Sequence, residues 1–486
     1  MKNHMNNRRE FIKILGLGGA AALVMPDLLA TQASAAYLPV DALADAWARF
    51  PAIRRRIKAP IFPKRDFPIT KYGAIGDGVT ECTEAFRRAI AACNRAGGGR
   101  VLVSSGSFLT GAIHLLSNVN LHVSAGATIM FSRDAKKYLP VVFSRWEGTE
   151  LMNYSPFIYA FEQKNIAITG TGTLDGRAGK DAWWPWVGSP RAEYGWKAGQ
   201  PSQRNDRAAL VAMSEKGTPV SERVFGAGHY LRPQFIQPYR CQNVLIDGVT
   251  IKNSPMWEIH PVLCQNVIVS NVKISSHGPN NDGCDPESCR DVLIENCSFD
   301  TGDDCIAIKS GRNADGRRLN VPSENIIVQG CVMKDGHGGV TIGSEISGGV
   351  RNVFAQDCHM DSPNLDRALR IKNNAMRGGL IENIYMRNVN VGQVAEAVVT
   401  IDFYYEEGEA GKFTPIVRNV GVSNVTSSKS KYALYLRGFK NAPISGLSLH
   451  DCTFDNVAQP NVLENVRDLT LRRVRINGKF ADELKS

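Results

Sequence analysis

One seven-residue pattern recurs through the second half of this chain and restricts its fold more than any other feature. A polar residue or Gly is followed by three or four mostly apolar residues, one or two polar ones, and then Val or Cys. It reads Asn243-Val-Leu-Ile-Asp-Gly-Val249, Asn266-Val-Ile-Val-Ser-Asn-Val272, Asp291-Val-Leu-Ile-Glu-Asn-Cys297, Asn325-Ile-Ile-Val-Gln-Gly-Cys331, Asn352-Val-Phe-Ala-Gln-Asp-Cys358 and Asn383-Ile-Tyr-Met-Arg-Asn-Val389. Weaker copies start at Asn419, Gly446 and Asp468, and successive copies are 22 to 36 residues apart. Short runs rich in Val and Ile, bounded by Gly, Asn or Asp, are strands rather than helices. A unit this small cannot bury its apolar face alone, so successive units must stack into one continuous core. The repeat therefore predicts an all-β fold, a right-handed single-stranded parallel β-helix.

The same register accounts for most of the eleven cysteines. The seventh position alternates between Val (Val249, Val272, Val389, Val425, Val474) and Cys (Cys297, Cys331, Cys358, Cys452), while Cys241, Cys264 and Cys289 form a second column two residues ahead of the repeat. A free thiol behaves as a small buried hydrophobe. These residues are expected to be reduced and structural, although export would make disulfides chemically possible. Cys82 and Cys93 fall in a predicted helix.

The front of the chain has a different character. Asn7-Arg8-Arg9-Glu10-Phe11-Ile12-Lys13 resembles a twin-arginine export motif, followed by an apolar run from Ile14 to Met25 and the small-residue site Ala33-Ser34-Ala35. Residues 1–35 are expected to be a signal peptide. The mature protein would then be soluble, periplasmic or secreted, with no membrane association after cleavage. A lead segment (36–68) precedes the β-helix (69–480), and 481–486 form a tail. Thr83–Arg95 carries apolar residues on one helical face and ends at Gly97-Gly98-Gly99. This helix is expected to cap the first coil, whose open edge would otherwise invite pairing. Two insertions, about 132–160 and 176–240, interrupt the early coils. The second holds Trp183, Trp184, Trp186 and Trp196, which fit stacking on sugar rings and loop packing equally well.

The net charge of +10 favours a polyanionic partner. The Lys and Arg residues are scattered rather than grouped in a tract, so nucleic acid is not the expected partner. Oligomeric state is left open.

Four polar blocks interrupt the repeat: Asn280-Asn281-Asp282-Gly283, Gly302-Asp303-Asp304-Cys305, Gly336-His337-Gly338 and Arg370-Ile371-Lys372. Asp282, Asp304 and Gly338 lie six residues before Ser288, Ser310 and Ser344, so Asp282 and Asp304 share a column, as do Asp303 and His337. With coils about 4.8 Å apart, all six side chains fall within roughly 10–15 Å on one face. Taken singly, Asp-Asp at a turn or Arg-x-Lys on a strand is ordinary. Four such blocks in register on consecutive coils point to chemistry. Glycosidic cleavage needs one protonated carboxyl for the leaving oxygen and one carboxylate to activate water or attack. Crowded carboxylates raise at least one pKa, His337 can tune Asp303, and the two cations suit an anionic substrate group.

These blocks resemble the polygalacturonase family of glycoside hydrolases, family 28, whose signature is Asn-Thr-Asp-Gly, Gly-Asp-Asp, Gly-His-Gly and Arg-Ile-Lys. Here Asn281 stands in place of the Thr, which affects local hydrogen bonding only. The resemblance implies a parallel β-helix and hydrolysis of α-1,4-galacturonosidic bonds in pectic polysaccharide with inversion, without cofactor or metal. By the match, Asp303 resembles the general acid, Asp282 and Asp304 the pair that activates water, and His337 a supporting histidine. Arg370 and Lys372 resemble the binders of the galacturonate carboxylate. A tyrosine on a later strand is implied, with Tyr404 and Tyr405 as candidates. Asn280, Trp257 and His260 are further candidate pocket residues. Asn280 to Cys289 and Gly302 to Arg318 look more like bacterial exo-acting members than fungal endo-enzymes. Alternatives are a rhamnogalacturonan-directed galacturonidase of the same fold, a calcium-dependent pectate-lyase-like enzyme, and a non-catalytic glycan-binding β-helix.

Overall fold

The residue heading each repeat explains how the chain winds. In the computed structural model, which describes residues 45–481, Asn243, Asn266, Asp291, Asn325, Asn352 and Asn383 all have φ between 58 and 60°. This left-handed conformation suits Asn, Asp and Gly and disfavours other residues. The sixth position does the same at the far end of the strand, with Gly248 at 81°, Asn271 at 56°, Asn296 at 55° and Gly330 at 62°. Two left-handed corners thus bracket each strand. The heading side chains also bond one another along the axis: Asn243 donates to Asn165 (2.8 Å), Asn266 to Asn243 (2.8 Å), Asn352 to Asn325 (3.1 Å) and Asn383 to Asn352 (3.1 Å).

The strands between these corners pair in parallel, each on the next. Gln242–Asp247, Gln265–Ser270, Arg290–Glu295, Ser323–Gln329 and Val350–Gln356 keep Val244, Val267, Val292, Ile326 and Val353 in one row. The stack continues to Val466–Arg472. The architecture is the parallel β-helix that the repeat predicts. The second and fourth repeat positions fill the interior together with the Val/Cys column. All eleven cysteines are buried and free. In the second cysteine column the Cys241 and Cys264 amides donate to the Cys264 and Cys289 sulfurs, each at 3.4 Å.

The third repeat position faces outward, which accounts for the runs of three apolar residues. Ile268, Leu293, Ile327, Phe354 and Tyr385 make an external stripe that Trp47, Ile53 and Ile57 cover, the last two from helix α1 (Phe50–Arg56) and its C-terminal edge. Arg387 stacks on the Trp47 ring at 3.8 Å, and Arg56 pairs with Asp291 at 2.8 Å. The lead segment therefore clasps the side of the helix. The expected signal peptide (1–35) and the residues up to 44 lie outside the described residues, as does most of the tail.

Helix α2 (Thr83–Arg95) buries Ala85, Phe86, Ala89, Ile90 and Cys93 against the first coil. Beyond it, the span expected as the first insertion contains an antiparallel hairpin, Val142–Trp146 with Thr149–Asn153. Ile158–Phe161, at the end of that span, belongs to the coils: it pairs with Ile236–Tyr239 across the second insertion. Helix α3 (Arg204–Glu215) lies within the second insertion, and helix α4 (Asn313–Leu319) follows the Gly-Asp-Asp coil.

Another face of the solenoid carries a six-stranded parallel sheet. Its strands are β1 (Ile306–Ile308), β2 (Val340–Ile342), β3 (Arg367–Lys372), β4 (Ala397–Asp402), β5 (Tyr432–Arg437) and β6 (Val462–Glu464). Three of the four polar blocks lead into or occupy the first three, and the first block lies on the preceding coil, where Cys284 bridges Ile306.

Candidate active site

The register that brings the blocks together is visible in the pairing. Cys284 bridges Ile306 and Ile306 pairs with Val340, so Asp282 lies beside Asp304, and Asp303 beside His337. Thr341 then pairs with Arg370. Cys305 and Ile306 are consecutive and both in the core, so strict alternation breaks just before β1 and Asp304 points outward. Glycines make room for this. A side chain at Gly283 would run into the Phe299 ring, and one at Gly338 into Thr341 Oγ1 and the Asp304 carboxylate. The absent side chain at Gly338 is what lets Arg370 reach Asp304 across the intervening coil.

Asp304 is fully buried and hydrogen-bonded at both oxygens. Its Oδ1 accepts from Thr341 Oγ1 (3.0 Å) and an Arg370 amino group (3.2 Å), and its Oδ2 from Lys372 Nζ (2.6 Å). Burial opposes its ionisation, but the Lys372 and Arg370 charges prevail and hold its pKa below the ordinary value. Asp303 Oδ1 lies 3.0 Å from His337 Nδ1 and accepts the Asp304 amide at 3.0 Å. Burial again disfavours charge, yet the His337 hydrogen bond and charge, with Lys372 and Arg370, keep Asp303 well below the carboxylate range. The same hydrogen bond raises the pKa of His337.

Asp282 is the opposite case. It is buried, its Oδ1 has no hydrogen-bond partner, and burial together with the neighbouring Asp285 and Asp303 charges pushes its pKa well up. One oxygen each of Asp282, Asp303 and Asp304 lies within 4.8 Å of the others. Negative charge is therefore favoured on Asp303 and Asp304 and disfavoured on Asp282. Behind Asp282, Asp285 is fully buried with both oxygens unpartnered, and burial raises its pKa too. A protonated Asp285 can donate to Asp282.

Sequence reasoning overlooked Lys309. Its ammonium lies 3.1 Å from Glu345, 3.6 Å from Asp285 and 3.8 Å from Asp282, and 4.3 Å from the centre of the Trp257 ring. The available signal was a lysine ending the apolar strand Ile306-Ala307-Ile308. Arg232 was also missed. It is fully buried and donates to Asn280 Oδ1 (2.7 Å) and to the Pro255 and Pro279 carbonyls (2.8 and 2.6 Å), and so holds the first block in place. Asn281, where the family signature has Thr, makes four local bonds: it accepts from Ser276 and Gly278 (both 2.7 Å) and donates to the Ser254 and Met256 carbonyls (3.1 and 3.2 Å).

The other candidates divide. A cavity of about 400 Å³ is lined by Trp257, Asn280, Asp282, Asp303, Lys372 and Tyr405, among others. Tyr405 lies under Lys372 and Arg370, with ring-centre distances of 5.2 and 5.7 Å. Tyr404 turns away, its ring against Phe439 and its hydroxyl toward Glu409. His260 is not in the cavity: it is fully buried, 2.7 Å from Glu287, and supports the Trp257 ring edge-on. Loop packing accounts for the tryptophans of the second insertion. Trp183 is buried among Tyr138, Phe157 and Trp186, Trp184 donates to Ser254 O, and Trp196 to Gln200 O. That insertion does line the cavity, through Val187, Pro190, Arg191, Gln203 and Arg207.

Comparison with known proteins agrees with this geometry. Residues 226–470 match the family described as glycosyl hydrolases family 28. The crystal structure of an exopolygalacturonase from Thermotoga maritima is 48% identical and superposes with a TM-score of 0.87, covering 90% of this chain and 98% of that one. A family 28 exopolygalacturonase from Yersinia enterocolitica shares the fold at 22% identity, with a TM-score of 0.70 over 87% of this chain and 77% of its own. An exo-poly-alpha-D-galacturonosidase from Dickeya chrysanthemi is 28% identical over 462 residues, covering 85% of this chain and 74% of that one.

Proposed function

The chain belongs to glycoside hydrolase family 28, and from that premise we propose that it releases galacturonate units from the ends of pectic galacturonan by hydrolysing α-1,4-galacturonosidic bonds. One observation carries the exo-acting reading. The cavity that Asp282 and Asp303 line is also walled by Val187, Pro190, Arg191, Gln203 and Arg207 of the second insertion. A wall of this kind leaves room for a chain end and obstructs a continuing polymer. The 48% identity to an exopolygalacturonase supports the same reading.

In this reading Asp303 protonates the leaving oxygen, and Asp282 with Asp304 activates water on the opposite side. In the empty site Asp303 favours its ionised form, beside a histidine whose pKa is raised. The Asp303–His337 pair thus holds one proton in its hydrogen bond. A galacturonate carboxylate drawn to Lys372 and Arg370 would offset the cations that favour Asp303 as an anion. Exclusion of water by the sugar would disfavour the ion pair further. Both effects move the proton from the imidazole to Asp303, where it is needed. The chain is further proposed to act outside the cytoplasm, on the strength of its twin-arginine-like leader.

Inversion follows from family membership rather than from carboxyl separation. The three acids approach more closely than the roughly 6.5–9.5 Å that generally accompanies inversion. Product analysis on galacturonan tests the reading: free galacturonate should dominate from the first minutes, with the β-anomer formed first by proton NMR. An early ladder of mid-length oligomers would sink the exo assignment, and initial α-anomer the stereochemical one. A parallel digestion of rhamnogalacturonan oligosaccharides should give far less product.

A further inference from the structure

In the reading above Lys372 and Arg370 meet one sugar carboxylate, yet galacturonan carries one on every unit. We propose that Arg191 and Arg207, both supplied by the second insertion, form a second carboxylate-binding site that reads the charge of the neighbouring uronate. The proposal rests on the reading of this cavity as the site for galacturonan.

The distribution of charge in the cavity carries it. Lys309 and Lys372 rise from the coils, are only 3% and 7% exposed, and are held by Glu345 at 3.1 Å and Asp304 at 2.6 Å. Arg191 and Arg207 line the same cavity but are 29% and 38% exposed. The carboxylate paired with Arg191 is Glu193, at 3.8 Å and itself 64% exposed. The Arg191 guanidinium leans instead on Tyr194, 4.9 Å from its ring centre, and donates to the hydroxyl at 3.2 Å. A guanidinium carries five N–H donors in a planar fork suited to carboxylates, so most of those on Arg191 remain for a ligand. Arg207 bonds Glu147 through Nε at 2.7 Å, which leaves its terminal amino groups. Gln203, in the same lining, is held as acceptor of Arg232 Nε at 2.9 Å. The insertion thus adds two cations that are more exposed than Lys309 and Lys372, in a cavity also lined by Glu147, Glu345 and Glu406. Methyl esterification of the unit they meet would remove its charge and the attraction.

The test compares trigalacturonate with 4-nitrophenyl α-galacturonide, which has one carboxylate and a neutral leaving group. Arg191→Ala should lower kcat/KM on trigalacturonate by roughly 10–100-fold, mostly through KM, and change it less than about twofold on the aryl glycoside. Arg191→Lys should restore part of the loss. Arg191→Gln, closer in size and polarity, should behave like Arg191→Ala and guards against a folding defect in the smaller variant. An equal loss on both substrates, or no loss on trigalacturonate, would overturn the second site. The wild-type product pattern tests the exo reading separately, whichever way the Arg191 ratio falls.

Discussion

Replacing Lys309 with Met removes a buried ammonium from among three carboxyl groups and keeps most of the side-chain volume. At an effective dielectric near 20, a unit charge about 4 Å away is worth about 4 kcal/mol, and Asp282 and Asp285 lie at 3.8 and 3.6 Å. Burial acts against the charge on Lys309, but Glu345, Asp282 and Asp285 together raise its pKa above 10.5, so it is cationic at neutral pH. Two outcomes follow. Removing one partner of a buried ion pair typically costs about 3–5 kcal/mol, and urea unfolding at pH 7 should show a loss of that order. The loss should shrink only when wild type is taken to pH values above 10.5, because a raised lysine pKa stabilises below the unfolded value and is lost above the folded one. Asp282, whose pKa is already raised, should rise further without the ammonium. A Coulomb contribution of about 4 kcal/mol, partly offset by proton sharing with Asp285, corresponds to roughly one to three pH units. The acidic limb of kcat/KM should therefore move to higher pH in Lys309→Met. A variant that is destabilised or slower, but whose acidic limb stays in place, would refute the role of Lys309 in setting the charge of Asp282.

Asp303→Asn should lower kcat by roughly 10²–10⁴-fold with little change in melting temperature, since the substitution removes the acid and keeps the shape. His337 has its pKa raised by Asp303; its favourable charge is therefore complete below pH 6.5 and lost as pH rises through the folded value. The alkaline limb of kcat/KM should lie above pH 6.5 in wild type and be displaced in His337→Ala. Trp47→Ala should destabilise the protein by about 3–5 kcal/mol, because Trp47 packs edge-on against Phe354 at 5.3 Å and anchors the lead segment over the external stripe. Chelation with EDTA should leave the rate unchanged within about twofold and yield no unsaturated, ultraviolet-absorbing product. The ground is that the Arg370 and Lys372 cations already compensate the charge of Asp304 and would repel a further cation.

Some of this protein was legible in its sequence because the signals are local and periodic. Left-handed corners demand Asn, Asp or Gly, and the inward positions of a short strand demand apolar side chains. Both constraints recur in every coil, so the repeat, the coil register and the columns Asp282–Asp304 and Asp303–His337 could be read directly. Recognising the four motifs required nothing beyond their order and spacing. Other features were decided only by tertiary packing. The sequence left Tyr404 and Tyr405 equivalent, and only the path of the chain after β4 sends one toward Lys372 and the other toward Phe439. It offered His260 as a pocket residue, whereas the fold buries it beneath Trp257 against Glu287. Neither the clasp of the lead segment over Leu293 and Phe354 nor the meeting of Lys309 with Asp285 and Glu345 leaves a periodic trace, because each joins segments whose separation in sequence carries no repeat. Protonation divides in the same way. The sequence supplied three carboxylates in one place, but burial and the reach of Arg370 across Gly338 decide which of them are ionised.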